Sequence, residues 1–167
     1  MSNVTDIVSE ASRAAEEVCV EHWGDEIPVD PARVADSLGI KVVEAYLDAD
    51  VSGAIQREAG EQAVIFVSAA DHPNRQRFTC AHEIGHFIKR SGEAEVFGYI
   101  DYRDEAASMG VDAEERYANA FAAALLMPER EVERLHELGL DEDELAKRFG
   151  VSQAAIVNRL KNLLLYR

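Results

Sequence analysis

Several things are scarce in this chain of 167 residues, and each scarcity excludes a class of protein. There are two cysteines, Cys19 and Cys80, so no disulfide framework is available and a reducing compartment is expected. No apolar run approaches the eighteen or so residues that span a bilayer, and the N-terminus lacks the basic-then-apolar layout of a secretion signal. A cytoplasmic protein without a membrane role is therefore expected. Positive charge is also sparse: 17 Lys and Arg stand against 32 Asp and Glu, a net charge of −15. Such a surface repels phosphate backbones and attracts basic proteins, while acidic residues also promote solubility. Internal repeats, low-complexity tracts and phosphate-cradling glycine loops are missing, which argues against a nucleotide enzyme.

What is present is enough for one domain of ordinary size, since 47% of the residues are hydrophobic. The stretch with the most chemistry is His82-Glu83-Ile84-Gly85-His86, which reads H-E-x-x-H. On a helix, residues four apart are separated by about 40° around the axis and roughly 6 Å along it, so both imidazoles can reach one metal ion. Glu83 follows the first histidine, where its carboxylate can act as general base on water activated by the metal. Phe78, Ala81, Gly85 and Ile88 form a separate apolar face at helical spacing. Two histidines and a carboxylate in a hydrolytic motif make Zn2+ the expected ion and amide hydrolysis the expected reaction.

A catalytic zinc centre usually has three protein ligands, so a third is owed. The alanine-rich run from Asp112 to Met127 is helical in composition and is stopped at Pro128. Glu115 and Asn119 share one face of it, and Ala118, Phe121, Ala122 and Leu125 share another. Glu115 can ligate while Asn119 supports a ligating histidine from behind. Helical register alone leaves Glu114 open as a rival.

The combination of R-F-T-x-A-H-E-I-G-H with a later E-x-x-A-N-x-F-A-x-x-L-L-M-P resembles the ImmA/IrrE family of zinc metallopeptidases. The motif-bearing part runs from Arg77 to Pro128, and the likeness extends more loosely over nearly the whole chain. The resemblance implies that His82, His86 and Glu115 are the metal ligands, in a gluzincin-like arrangement, and that Glu83 is the general base. Asn119 stands where that arrangement often has Asp as the partner of a histidine, which leaves an uncharged partner here. Members of the family cleave helix-turn-helix repressors in mobile-element induction or stress responses. The resemblance therefore implies a DNA-binding repressor as protein substrate.

The rest of the chain reads as an α+β fold. Val4 to His22 carries Val4, Ile7, Val8, Ala11, Ala15 and Val18 at helical spacing. Asp30-Pro31 is a helix start, and Gly39 ends that short helix. Three strand-like runs follow, Lys41 to Leu47, Ser52 to Arg57 and Gln62 to Ser68, whose short connections predict a small, mainly antiparallel three-stranded sheet. Ala63-Val64-Ile65-Phe66-Val67 reads as a strand buried on both faces. One outer strand is expected to hold an extended peptide by edge addition. His72 reads as a loop histidine and Asn74 as a helix cap. Residues 93–110 show no clear period and read as a loop over the cleft. Tyr99, Tyr102, Tyr117 and His136 are candidates to donate to the developing oxyanion, with no basis for choosing among them.

Beyond Pro128 the character changes, which divides the chain into a zincin-like metallopeptidase domain at 1–128 and a helical region at 129–167. Residues 129–167 hold seven Lys/Arg and eight Asp/Glu, a net of −1, leaving −14 for the remainder. Three helices are expected there, and Leu145 to Leu160 has the layout of a helix-turn-helix: a glycine turn at Gly150, a cap at Ser152, and apolar anchors after it. Direct DNA binding through Gln153, Asn158, Arg159 and Lys161 is the lesser expectation, because phosphate contact calls for a net basic face. The reading that competes with a peptidase is a zinc-stabilised transcriptional regulator that binds DNA or a repressor without cutting it.

Overall fold

The computed structural model describes residues 4–90, 96–102 and 113–166, with Tyr99, Asp101 and Tyr102 described by their backbone alone. Seven helices and four strands occur among the described residues. In chain order they are α1 (Val4–His22), α2 (Pro31–Ser37), β1 (Lys41–Ala45), β2 (Val51–Arg57), β3 (Val64–Ser68), α3 (Pro73–Arg90), β4 (Phe97–Tyr102), α4 (Ala113–Leu126), α5 (Glu129–Glu137), α6 (Glu142–Phe149) and α7 (Gln153–Asn162). No helix among them is long and apolar enough to cross a membrane.

The helix starts follow local chemistry. Asp30 Oδ1 accepts from the backbone N–H of Ala32 at 3.0 Å, and Pro31 opens α2 where no N–H is needed. Asp141 and Glu144 form a reciprocal capping box on α6, and Ser152 Oγ accepts from Ala155 N at 3.1 Å to start α7. Gly150 ends α6 at φ 65°, a left-handed conformation that suits glycine. At α3 the cap differs from expectation. His72 Nδ1 accepts from Asn74 N at 3.1 Å, while Asn74 lies inside the helix and donates its amide to Val151 O at 3.1 Å.

The sheet corrects the three-stranded, mainly antiparallel expectation in both number and pairing. It is four-stranded and mixed, with order β1-β3-β2-β4. β1 and β2 are consecutive but are not neighbours. β3 inserts between them, parallel to β1 (Val43 opposite Phe66) and antiparallel to β2 (Ile55 opposite Ile65). The apolar β3 thus takes an interior position, where both of its edges are hydrogen-bonded. Only one face of it is fully covered: Ile65 and Val67 are buried, whereas Val64 and Phe66 are half-buried. The fourth strand comes from the 93–110 stretch read as a loop. Phe97–Tyr102 pairs antiparallel with β2, with an irregularity between Val51 and Gly53, so β1 and β4 are the two edges. Residues 103–110 lie outside the described part.

α3 crosses the inner face of the sheet, and α4 packs against both α3 and α1. The core between these layers includes Ala15, Ile65, Ile84, Phe121, Leu125 and Leu126. The C-terminal helices join the same core through Leu145, Phe149, Ile156 and Leu160. Arg77 fastens that junction: its guanidinium donates to Val29 O at 2.6 Å, Gly150 O at 3.0 Å and Phe149 O at 3.3 Å.

Candidate metal centre

The H-E-x-x-H run falls in the buried second half of α3, where His82, Glu83 and His86 are 3%, 0% and 2% exposed. Two glycines allow this depth. A Cβ built on Gly85 would lie 3.0 Å from Ala118 Cα and 3.2 Å from Phe121 Cβ, so α4 approaches backbone to backbone at that point. A Cβ on Gly53 of β2 would lie 2.3 Å from Thr79 Cγ2 and 3.6 Å from Glu83 Oε1. Gly53 therefore lets the sheet close on Thr79 and on the Glu83 carboxylate. A glycine within a strand-like run signals such a close approach, yet its partner is visible only in three dimensions.

The approach of α4 brings Glu115 to the imidazoles. Glu115 Oε2 lies 3.3 Å from His82 Nε2, Glu115 Oε1 lies 3.1 Å from His86 Nε2, and the two Nε2 atoms are 3.1 Å apart. Hydrogen bonds from His82 and then His86 hold the Glu115 carboxyl well below the usual carboxylate range, against the opposing effect of burial. Glu114 pairs with Arg90, whereas Glu115 is the glutamate that stands beside both imidazoles. His82, His86 and Glu115 form a cluster able to hold a metal ion.

The donor chemistry fits an ion. Asn119 Oδ1 lies 3.0 Å from His82 Nδ1; when the imidazole gives up its Nε2 proton, this carbonyl oxygen keeps the remaining proton on Nδ1 and leaves the Nε2 lone pair for a metal ion. That lone pair points at a carboxylate and a second imidazole, a convergence of electron-rich atoms that a cation between them relieves. Tetrahedral coordination at zinc–nitrogen distances of 2.0–2.1 Å separates donors by roughly 3.3 Å. The two Nε2 atoms, 3.1 Å apart, lie close to this, and each imidazole has its own Glu115 oxygen at 3.1 to 3.3 Å.

Other expected residues are placed differently. Tyr117 is buried with its ring stacked on Phe121, centroids 6.4 Å apart, and Lys89 Nζ lies 4.9 Å from the ring centroid. His136 lines a small cavity with Leu140 and Tyr166 in the C-terminal helices, away from the imidazoles. The side chains of Tyr99 and Tyr102 lie outside the described residues. Cys80 is buried, its thiol pushed up to about 12 by burial first and then by the charges of Asp30 and Glu83. Arg159, one of the candidates for reading DNA, is turned inward at 7% exposure and donates from Nε to Met127 O at 3.0 Å. Gln153, Asn158 and Lys161 are exposed.

An α+β domain that presents two imidazoles and a carboxylate from two crossed helices, with a buried glutamate beside them, has the architecture of a metallopeptidase domain. The model of the IrrE N-terminal-like domain family, Peptidase M78, matches residues 35–161, and the chain belongs to that family. It is 38% identical over 105 residues to the radiation response metalloprotease IrrE of Deinococcus radiodurans, an alignment covering 60% of this chain and 31% of that protein. The chain thus spans about a third of the length of the curated relative it matches. A solved structure of a Mycobacterium tuberculosis transcriptional regulator superposes with a TM-score of 0.61 at 24% identity, covering 95% of this chain and half of the other. That likeness concerns the fold.

Proposed function

We propose that this chain is a zinc-dependent endopeptidase that cleaves a specific protein substrate, a helix-turn-helix repressor of a mobile element or stress response. The observation that carries the reading is the convergence of His82, His86 and Glu115, with Glu83 buried next to them, in a chain of the Peptidase M78 family. His82, His86 and Glu115 would hold Zn2+. When bound, zinc supplies Lewis acidity, which lowers the pKa of water and polarises a carbonyl. Glu83 takes the proton from the attacking water onto its carboxylate and returns it to the leaving amine. Asn119 fixes the ring of His82 by accepting from Nδ1, which keeps Nε2 aimed at the donor cluster. β4, an edge of the sheet among the described residues, is the strand against which an extended substrate segment would add.

The choice of a DNA-binding protein as substrate is supported by charge. A chain at −15 is complementary to a basic partner. Residence in the cytoplasm belongs to the same proposal, and two free, buried cysteines agree with it. We likewise treat 1–128 as the catalytic unit and 129–167 as a helical region built onto it.

One observation favours a second reading, a zinc-stabilised regulator that binds DNA or a repressor without cutting. α6, Gly150 and α7 have the helix-turn-helix layout. Against DNA contact, Arg159 is buried, and Ala154, Asn158 and Asn162 of α7 line a cleft shared with Val4 and Ser12 of α1. The readings separate when wild type and Glu83→Gln are expressed in a host carrying the neighbouring repressor gene and protein fragments are compared by mass spectrometry. A DNA-binding protein cut only by wild type is the expected result. Identical fragment patterns with the same transcriptional response would overturn the peptidase in favour of the regulator.

A further inference from the structure

A cleft of about 890 Å³ is lined by α1, α4 and α7 and by the first turns of α3. None of His82, Glu83, His86 and Glu115 lines it, so peptide hydrolysis as proposed makes no use of it. Its walls are apolar, with Val8, Phe78, Ala123, Ala155 and Leu163. Its charge is opposite to that of the molecule: Arg75, Arg116 and Arg159 line it against the single acid Glu129, in a chain of net −15.

The guanidinium of Arg159 is the unusual member. It is 7% exposed, and beyond the bond from Nε to Met127 O its terminal nitrogens have no acceptor among the described residues. Those terminal nitrogens are not among the fully buried unpartnered atoms and so keep access to the cleft, while burial of the side chain pushes Arg159 below its ordinary value, opposed by Glu129. Arg75 is similar. It donates from Nη2 to Ser52 Oγ at 3.1 Å, while its Nε is buried with no hydrogen-bond partner among the described residues. A guanidinium with open terminal nitrogens on the wall of a largely apolar cleft matches a carboxylate on an apolar body. Volumes of about 300–1,000 Å³ are those of small-molecule sites, and a buried guanidinium is reached by a slender ligand rather than by a flat protein face.

We propose that this cleft is a binding site for a small amphipathic carboxylate, an apolar chain of acyl type whose acid group pairs with Arg159. Asn119 lines the cleft and also accepts from His82 Nδ1, so an occupant reaches the residue that orients a metal-site imidazole. That consequence for the metal site rests on the peptidase reading; the binding does not.

The test is calorimetric titration of the full zinc-loaded chain with decanoate and, separately, with decyltrimethylammonium, in wild type, Arg159→Gln and Ala155→Trp. No turnover is measured, so failure of the peptidase reading and failure of this one are distinguishable. Saturable one-to-one binding of decanoate is expected, weakened about tenfold or more by Arg159→Gln and by exchanging the anion for the cation. Ala155→Trp should abolish it by filling the cleft. Should Arg159→Gln fail to fold, Ala155→Trp and the cation decide. No saturable binding, equal affinity for the cation, or full binding by Ala155→Trp, which would place decanoate elsewhere including the metal donors, overturns the proposal. A wild-type dimer in sedimentation that Ala155→Trp dissociates would also overturn it, by making a second copy the occupant.

Discussion

Gly85 of α3 and Ala118 of α4 meet so closely that a Cβ added to the glycine would stand 3.0 Å from the Cα of the alanine and 3.3 Å from its carbonyl oxygen. Ala118 lies three residues after Glu115 on the same helix, so this crossing sets how far the carboxylate stands from the imidazoles. Gly85→Ala gains roughly 1 kcal/mol of helix propensity but forces two backbones apart, an overpacking cost of about 1–3 kcal/mol. The expected outcome is a net loss of stability together with weaker metal affinity. Urea denaturation and metal titration of the variant check both. Unchanged metal affinity would show that the crossing does not set the donor spacing.

Glu83→Gln is nearly isosteric and removes the proposed proton acceptor while leaving His82, His86 and Glu115 in place. The variant is expected to bind zinc with wild-type stoichiometry and to lose roughly 10²- to 10⁴-fold in cleavage rate. Metal analysis and the rate of substrate disappearance measure the two effects. A zinc-loaded variant cutting at the wild-type rate would remove Glu83 from its role.

Glu115 gives the metal-free protein a pH dependence of defined sign. Its folded pKa is depressed by His82 and His86, so the stabilisation it contributes is fully present above the unfolded value of about 4.3 and is lost as the pH falls through the folded value. In metal-free protein, the gap in urea midpoint between wild type and Glu115→Gln is therefore expected to narrow as the pH is lowered from 5 towards 3. Metal loading should fail earlier on acidification, because both imidazoles must be deprotonated to ligate and the unperturbed histidine pKa is about 6.5. Zinc content that stays constant well below that pH would argue against His82 and His86 as ligands.

Cys80 is expected to be inert in the native state. Its thiol is buried and pushed up to about 12, so almost no thiolate exists near neutral pH. Cys19 is also buried and is raised by burial, then by Asp25 and Glu16. Iodoacetamide at pH 8 should leave the intact mass of the folded protein unchanged and add two carbamidomethyl groups after denaturation. Rapid labelling of the folded chain would contradict the burial.

The helices were legible because their signals are local. Asp30-Pro31, the box of Asp141 and Glu144, and the Gly150 turn each fix a helix end within a few residues. The meeting of His82 and His86 was legible for the same reason, since four-residue spacing on one helix brings their Nε2 atoms to 3.1 Å. Glu115 needed the tertiary crossing at Gly85 to be separated from Glu114. Sheet order was misread because hairpin logic assumes that consecutive strands pair, whereas β3 comes between β1 and β2. Phe97–Tyr102 was missed because acids on either side hid an aromatic and β-branched run. The inward turn of Arg159 has no local sign at all: an arginine on a helix-turn-helix pattern looks the same whether it faces water or the carbonyl of Met127.

The two glycine approaches also bear on how the centre breathes. α3 is pinched at Gly85 by α4 and, through Thr79, at Gly53 by β2, so any fluctuation that parts the imidazoles has to unseat a helix and a strand together. Amide protons along Thr79 to His86 should then exchange with deuterium only through global opening, not by fraying from the helix end. The mould for the ion belongs to the most slowly opening part of the molecule and would outlast the ion's departure.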